Sequence, residues 1–468
     1  MADGIAERAP SREQLSHSLY EAAELEHNLM CTYLYAAFSL KTAGEGLSDA
    51  EVEAVARWKS EIIGVAIEEM GHLSAVWNIT AALGGQPRFG RGNFPLDTGL
   101  LPAGIVVKLA PFNAGVLQHF IHLERPEGSD EPDGADFAPP RRFLRGEAAT
   151  RLTPMPMDYE TVGTFYQELA SELRDFAALH GESATFVGDP ALQMGPAEIE
   201  LDGAKPVLCL KTAVQAFDAI VAQGEGASEA SSTSHYCRFK AIRDEFEALK
   251  AANPKFEPAW PAAVNPVLRR PPTPDGKVWL QDPEAIATVD LANSCYQLML
   301  RLLGYAYSVK RPHPEKGVAV DLAISLMRAC SLLDERAARL PAGGTDMPCN
   351  AGMSFTALRD AAPFVQGPSA RTFFIERMGE FAAAARVIAE SGDTRAIGAA
   401  KLLEDLAQRA ANQFASAGDP APMTPASKPV VAPGKEETTK VDGIETVVGD
   451  KVTIIYEGKR CIHSRQCV

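Results

Sequence analysis

Two long helical stretches near the N-terminus each place a carboxylate inside an otherwise apolar stripe. In residues 11–43, Leu15, Leu19, Ala22, Leu29 and Tyr33 recur at helical spacing. At about 100° per residue, Glu26 falls within ~20° of Leu15, while Glu21 and Glu24 point away. In residues 48–84 the stripe is Val55, Ile62, Ala66, Leu73 and Val76. Glu69 sits on it, Glu68 points outward, and His72 lies one turn beyond Glu69 at its edge. Glu69-Met70-Gly71-His72 is thus a Glu-x-x-His that sets a carboxylate and an imidazole side by side.

A buried carboxylate is costly unless it is paired or binds a metal. Two such acids on neighbouring helices repel each other unless a cation lies between them. Carboxylates with imidazole suit non-haem iron or manganese, and a Glu facing a Glu-x-x-His is half of a di-iron bundle pattern. A lone Glu-x-x-His is more often a surface pair. The coincidence of two core-facing acids is what favours metal.

Both stretches carry helix-start signals, Ser11 with Gln14 and Ser48 with Glu51, and Gly84-Gly85 closes the second. Residues 86–160 are rich in Pro, Gly and Asp, with helical pieces only near Val116–Ile121 and, just beyond, Thr161–His180. They read as a functional insertion covering the site mouth. Helical periodicity returns at 205–223 and 233–251, then near 284–308, 317–339 and 369–415 after a Pro-rich stretch.

A second half-site should come from the later hairpin. Val214, Phe217 and Val221 mark a stripe that includes Asp218 and Glu225, and His235 shares a stripe with Phe239, Ile242, Phe246 and Leu249. Ser232 stands three before His235, so there is no second Glu-x-x-His. Asp218, Glu225 and His235 are candidate ligands for a second metal, and a satisfied core histidine beside a loop acid is the alternative. Tyr33 reads as core packing, with a role as partner or radical relay as the other reading.

The fold class expected is all-α: a four-helix bundle with a long insertion and additional C-terminal helices, plus a short β-containing C-terminal fragment. The expected divisions are 11–251 for the bundle, 252–415 for a helical extension packed on the bundle, 416–440 for a linker and 441–468 for the final segment. Lys451–Tyr456 is the clearest strand there.

The net charge of -16, from 45 basic against 61 acidic residues, argues against nucleic acid as a partner. No apolar run reaches the ~20 residues of a membrane span. No signal peptide is evident, and the first six of the eight cysteines are scattered through apolar helical sequence. Free thiols in a cytoplasmic protein are the expectation.

The stretches LYEAAELEHNLMCTYLYAAFSL (19–40), IEEMGHLSAVWNITAALGG (67–85), AIVAQGEG (219–226) and SHYCRFKAI (234–242) resemble the iminophenyl-pyruvate dimer synthase family. The segment 101–127 is similar to that family's connection between helical hairpins. This resemblance implies a ferritin-like bundle with metal at Glu26, Glu69, His72, Glu225 and His235. Asp218 stands where a Glu is expected.

VTIIYEGKRCIHSRQCV (452–468) resembles the opening of a divergent single-cluster 4Fe-4S ferredoxin domain, with Cys461 and Cys467 as thiolate ligands. A cluster needs four ligands. The sequence stops in mid-motif, which predicts a chain cut within that domain.

The function these readings imply is a non-haem, di-iron oxidoreductase with two irons per chain. It would use O2 or peroxide on a small organic, amine- or imine-derived substrate, with electrons from the iron–sulfur segment or another donor. A homo-oligomer is compatible with this. The competing readings are an iron storage or detoxification protein, and a non-enzymatic helical protein with a degenerate metal site.

Overall fold

The computed structural model describes residues 10–96, 106–137, 154, 159–224, 233–344, 348–358, 364–416, 437–441, 444–448 and 453–457. It divides into two compact units, 1–418 and 419–468.

The first unit is helical, as expected. Helices α1 (Arg12–Ser39) and α2 (Asp49–Ala82) form a packed hairpin. Their starts follow the sequence signals. Ser11 Oγ accepts from the Gln14 amide at 3.1 Å, and Glu51 Oε2 accepts from the Ser48 amide at 2.8 Å. Each satisfies an amide that the first helical turn leaves without a partner. Within 86–160 the chain forms α3 (Ala114–Leu123) and a 3₁₀ turn at Ala135–Phe137. Then come α4 (Val162–His180), the single turn α5 (Glu182–Thr185), α6 (Leu210–Gln223) and α7 (His235–Ala252). Strands β1 (Pro266–Val267) and β2 (Val278–Trp279) make a minimal parallel pair.

Four more helices follow: α8 (Pro283–Ser308), α9 (Glu315–Ala337), α10 (Pro368–Ala389) and α11 (Thr394–Ser416). The stretch 369–415 is therefore two helices rather than one continuous run. The break falls at Gly392, with φ +79°, and Asp393 Oδ1 restarts the chain by accepting from the Arg395 and Ala396 amides at 2.9 Å. Left-handed backbone favours glycine and ends a helix.

Helix α1 is buried almost all round. It packs on α2 and α4, and also on α9. The apolar core runs without interruption from Leu15 to Phe414. Around the N-terminal hairpin, α6 and α7 pack on α2, and α3 packs on α7. Among the described residues no helix is long and apolar enough to cross a membrane.

The second unit contains an antiparallel meander, β3 (Glu437–Val441), β4 (Ile444–Val448) and β5 (Thr453–Glu457). β5 is the strand expected at 451–456. β3 and β4 carry charged residues among Thr and Val, which weakens the apolar signal of a strand.

Candidate metal centre

Helices α1 and α2 run side by side, which brings Glu26 against Glu69 and His72. All three are buried, at 0%, 0% and 2% exposure. His72 Nδ1 lies 2.8 Å from Glu69 Oε2 and 3.5 Å from Glu26 Oε2. His235, the first residue of α7, brings Nδ1 to 3.0 Å from Glu69 Oε1 and 3.5 Å from Glu124 Oε2. Glu124 caps the C-terminus of α3, where its amide donates to the Phe120 carbonyl at 3.1 Å. Two triads result, Glu26/Glu69/His72 and Glu69/Glu124/His235, and within each the ligand atoms lie within 4.8 Å of one another. Glu69 belongs to both.

The outer atoms of these side chains are held. The Tyr166 hydroxyl donates to Glu26 Oε1, and the Tyr33 hydroxyl donates to Glu124 Oε1 at 2.5 Å. His72 Nε2 meets Gln223 Oε1 at 3.2 Å, and His235 Nε2 meets Glu68 Oε2 at 3.0 Å. Arg238 Nη1 in turn holds Glu68 Oε1 at 2.6 Å. Both imidazoles thus have an acceptor at Nε2 and present Nδ1 to the cluster, the arrangement in which a metal-ligating histidine is commonly held.

The inward atoms are left over. Glu26 Oε2, Glu69 Oε1, Glu124 Oε2 and His235 Nδ1 are buried without a hydrogen-bond partner. His235 Nδ1 and Glu69 Oε1 are close, yet not aligned as a hydrogen bond. Buried polar atoms are nearly always paired. Atoms that converge on shared space instead of on each other form a donor set that could hold a cation. Three carboxylates and two imidazoles fit iron or manganese better than a thiophilic metal.

Electrostatics point the same way. Burial and the neighbouring Glu69 push the Glu26 carboxyl up to about 8. Burial opposes the charge on His72, but Glu69 and Glu26 outweigh it and push the imidazole up to about 10. Burial likewise opposes charge on His235, and Glu124 and Glu69 carry it well above its ordinary range. Burial would raise Glu69, but His235 and His72 hold it well below the usual carboxylate range. Protons on the imidazoles balance the acids, and a divalent cation would displace them.

Of the residues expected from sequence, Glu26, Glu69, His72 and His235 come together. Asp218 does not. The inward face of α6 is Ala213, Phe217 and Ile220, rotated from the face read in the sequence, and this leaves Asp218 exposed. Glu225, Cys461 and Cys467 lie outside the described residues. Glu124, Tyr166 and Gln223 were not anticipated. Tyr33 is a hydrogen-bond partner of the site as well as core packing, stacked edge-on against Phe120 with centroids 4.6 Å apart.

A cavity of about 560 Å³ reaches His72 and Gln223. Its other walls are α2, residues 202–206 and α6, with Lys205, Thr212 and Gln215 among its polar groups. The described residues of 86–160 do not line this mouth. Their contribution to the site is Glu124. Gly224 closes α6 against the second triad: a Cβ there would stand 3.0 Å from His235 Nδ1 and 3.2 Å from Glu124 Oε2.

Residues 19–244 match a family model described as Ferritin-like. The chain is 26% identical over 379 residues to the 2-imino-3-(indol-3-yl)propanoate dimerase of Chromobacterium violaceum, covering 72% of this chain and 33% of that protein. It is 26% identical over 457 residues to the dichlorochromopyrrolate synthase of Lentzea aerocolonigenes, covering 87% of this chain and 41% of that one. The chain thus spans between a third and two fifths of the length of these curated relatives. A crystal structure of a ferritin-like protein from Caulobacter vibrioides aligns at 18% identity and a TM-score of 0.42, over 69% of this chain and 96% of that one. The family match and the helical architecture around the acid–histidine cluster give the conclusion: this chain carries a ferritin-like domain.

Proposed function

We propose that this chain is a di-iron-type oxidoreductase acting on a small organic substrate derived from an amine or imine. The observation that carries the reading is the pair of buried triads sharing Glu69, beside a cavity of about 560 Å³ that reaches His72. Glu26, Glu69 and His72 would hold one iron, and Glu69, Glu124 and His235 the other. A bound iron pair supplies the capacity to reduce O2 or peroxide. The protein supplies the rest. Tyr166 and Tyr33 orient the two outer carboxylates, Gln223 and Glu68 fix the imidazole tautomers, and burial keeps water from competing for the ligands. Iron storage would require no organic-sized cavity against a ligating histidine.

Imine chemistry is suggested by the relatives, whose names include a dimerase of an indolyl imino acid. An iron–sulfur segment at 441–468 supplying electrons belongs to the same proposal.

Anaerobic titration of the chain with Fe(II), followed by admission of air, tests it. The expected result is two irons per chain, an absorbance change on exposure to O2, and O2 uptake stimulated by an aromatic 2-imino acid generated in situ. Failure to retain iron, or retention with no response to O2, would overturn the reading.

A further inference from the structure

The α1–α2 hairpin is a wall with two sides. One side carries the acid–histidine cluster. The other faces α8 and α9 across a second cavity, of about 60 Å³. The two are close along the chain: His27 of the cavity follows Glu26, Met70 follows Glu69, and Leu73 follows His72.

This second cavity differs from the first in chemistry and in size. Met30, Met70, Met194, Met299 and Met327 line it, with aromatic and aliphatic side chains between them. Among the described residues, no acidic or basic side chain other than His27 takes part. Its few polar groups are turned on partners. Ser74 Oγ and the Tyr307 hydroxyl lie 3.4 Å apart, and His27 Nε2 lies 2.7 Å from the Tyr296 hydroxyl. The Trp77 Nε1–H, on a residue 3% exposed, is without a partner.

A buried water needs two to four polar partners, and genuinely apolar cavities stay dry. A cavity of roughly 150 Å³ is what a benzene ring occupies, so an aromatic substrate does not fit here. An organic anion finds no Lys or Arg among the described lining residues. What fits is a small uncharged gas, which prefers an apolar cavity to water. Thioether walls are soft and unbranched, and they can shift to let such a molecule pass.

We infer that this methionine-lined cavity holds dioxygen and passes it to the metal centre on the other side of the hairpin. The inference rests on the oxidase reading above, and it adds where the gas resides.

Xenon is the probe. Crystals of the full chain pressurised with xenon should show an anomalous peak between α2 and α8, whether or not iron is present. Leu303→Trp fills the cavity, and Ile324→Phe does so from α9 in case the first variant misfolds. Each should lose the xenon peak and still bind two irons. Stopped-flow oxidation of bound Fe(II) should then need at least threefold more O2 for half-maximal rate, with the rate at saturating O2 unchanged. Absence of xenon from the cavity overturns the inference. So does an unaltered O2 dependence in a filled variant that has lost xenon. Xenon in the cavity of a wild-type protein whose iron does not react with O2 would instead overturn the oxidase reading.

Discussion

Glu69 is the residue whose loss should affect both metals at once. It is the member common to both triads, with Oε2 beside His72 and Oε1 beside His235. Glu69→Ala should abolish tight binding of either iron, whereas Glu26→Ala should leave the second triad and a stoichiometry of one. Anaerobic metal titration separates the two outcomes, and equal stoichiometries in the two variants would contradict a shared ligand. The tyrosines allow a finer, crossed test. Tyr33 serves Glu124 and Tyr166 serves Glu26. Tyr33→Phe should weaken the second iron ~10–100-fold and spare the first, as loss of an outer-shell partner does. Tyr166→Phe should do the reverse. In the metal-free protein each change also leaves a buried carboxylate oxygen unpaired, at a cost of about 1–3 kcal/mol. The difference in legibility among these residues has a physical basis. Glu26 and Glu69 interrupt long apolar stripes, so helix periodicity exposes them. Glu124 stands one residue past a helix of ten residues, where there is no stripe to interrupt. Tyr33 and Tyr166 look like any core aromatic until the opposing helix is in place.

Among the elements, end signals mark the first hairpin most clearly. Both of its helices begin at the expected serines, whereas the inward face of α6 is not the one periodicity predicts. Its fourteen residues offer several overlapping apolar stripes, and only contact with α2 and α4 selects Ala213, Phe217 and Ile220. Packing, which periodicity does not report, decided Asp218. Helix α4 carries a different conflict. Glu168, Glu172 and Asp175 share one face at spacings of four and three, where like charges repel. Burial pushes the Glu172 carboxyl up to about 7, and Glu168 and Asp175 add to it. The folded chain therefore binds this proton more tightly than the unfolded chain, whose carboxyl has the ordinary value of 4.5. The stabilisation is complete below about 4.5 and is lost as pH rises to about 7. Glu172→Gln keeps the polar neutral group and removes the penalty. It should match the parent chain in urea unfolding near pH 4, gain on it through the window, and keep a constant advantage above pH 7.5. An advantage independent of pH would mean that charge on α4 is not the cause.

At the scale of the whole molecule, the question is whether the bundle stands alone. Sequence periodicity places a boundary near residue 251, where a Pro-rich stretch follows the fourth long helix, with an extension packed on the bundle beyond it. That packing gives a physical reason why residues 1–252 should not stand alone. Helix α1 has no free side: its outer face meets α9, and the groups on that face have their partners there or nearby. His27 hydrogen-bonds Tyr296 on α8, Tyr35 donates to the Ala263 carbonyl, and Arg339 reaches back to Glu45 at 2.6 Å. A chain ending at 252 would expose an apolar helix face and leave those polar groups without partners, so it should aggregate or melt without a cooperative transition. A chain ending at 418 loses none of this. The core closes at Phe414, which stacks on Phe374 with centroids 5.7 Å apart, and both triads lie well inside the cut. It should melt cooperatively within a few degrees of the full chain and bind the same number of irons. Thermal denaturation with iron analysis on the two truncated chains decides the matter. A soluble 1–252 fragment with two irons and a sharp melt would show that the C-terminal helices are an accessory to the metal-binding bundle. Loss of iron from 1–418 would show that residues beyond it hold the site together.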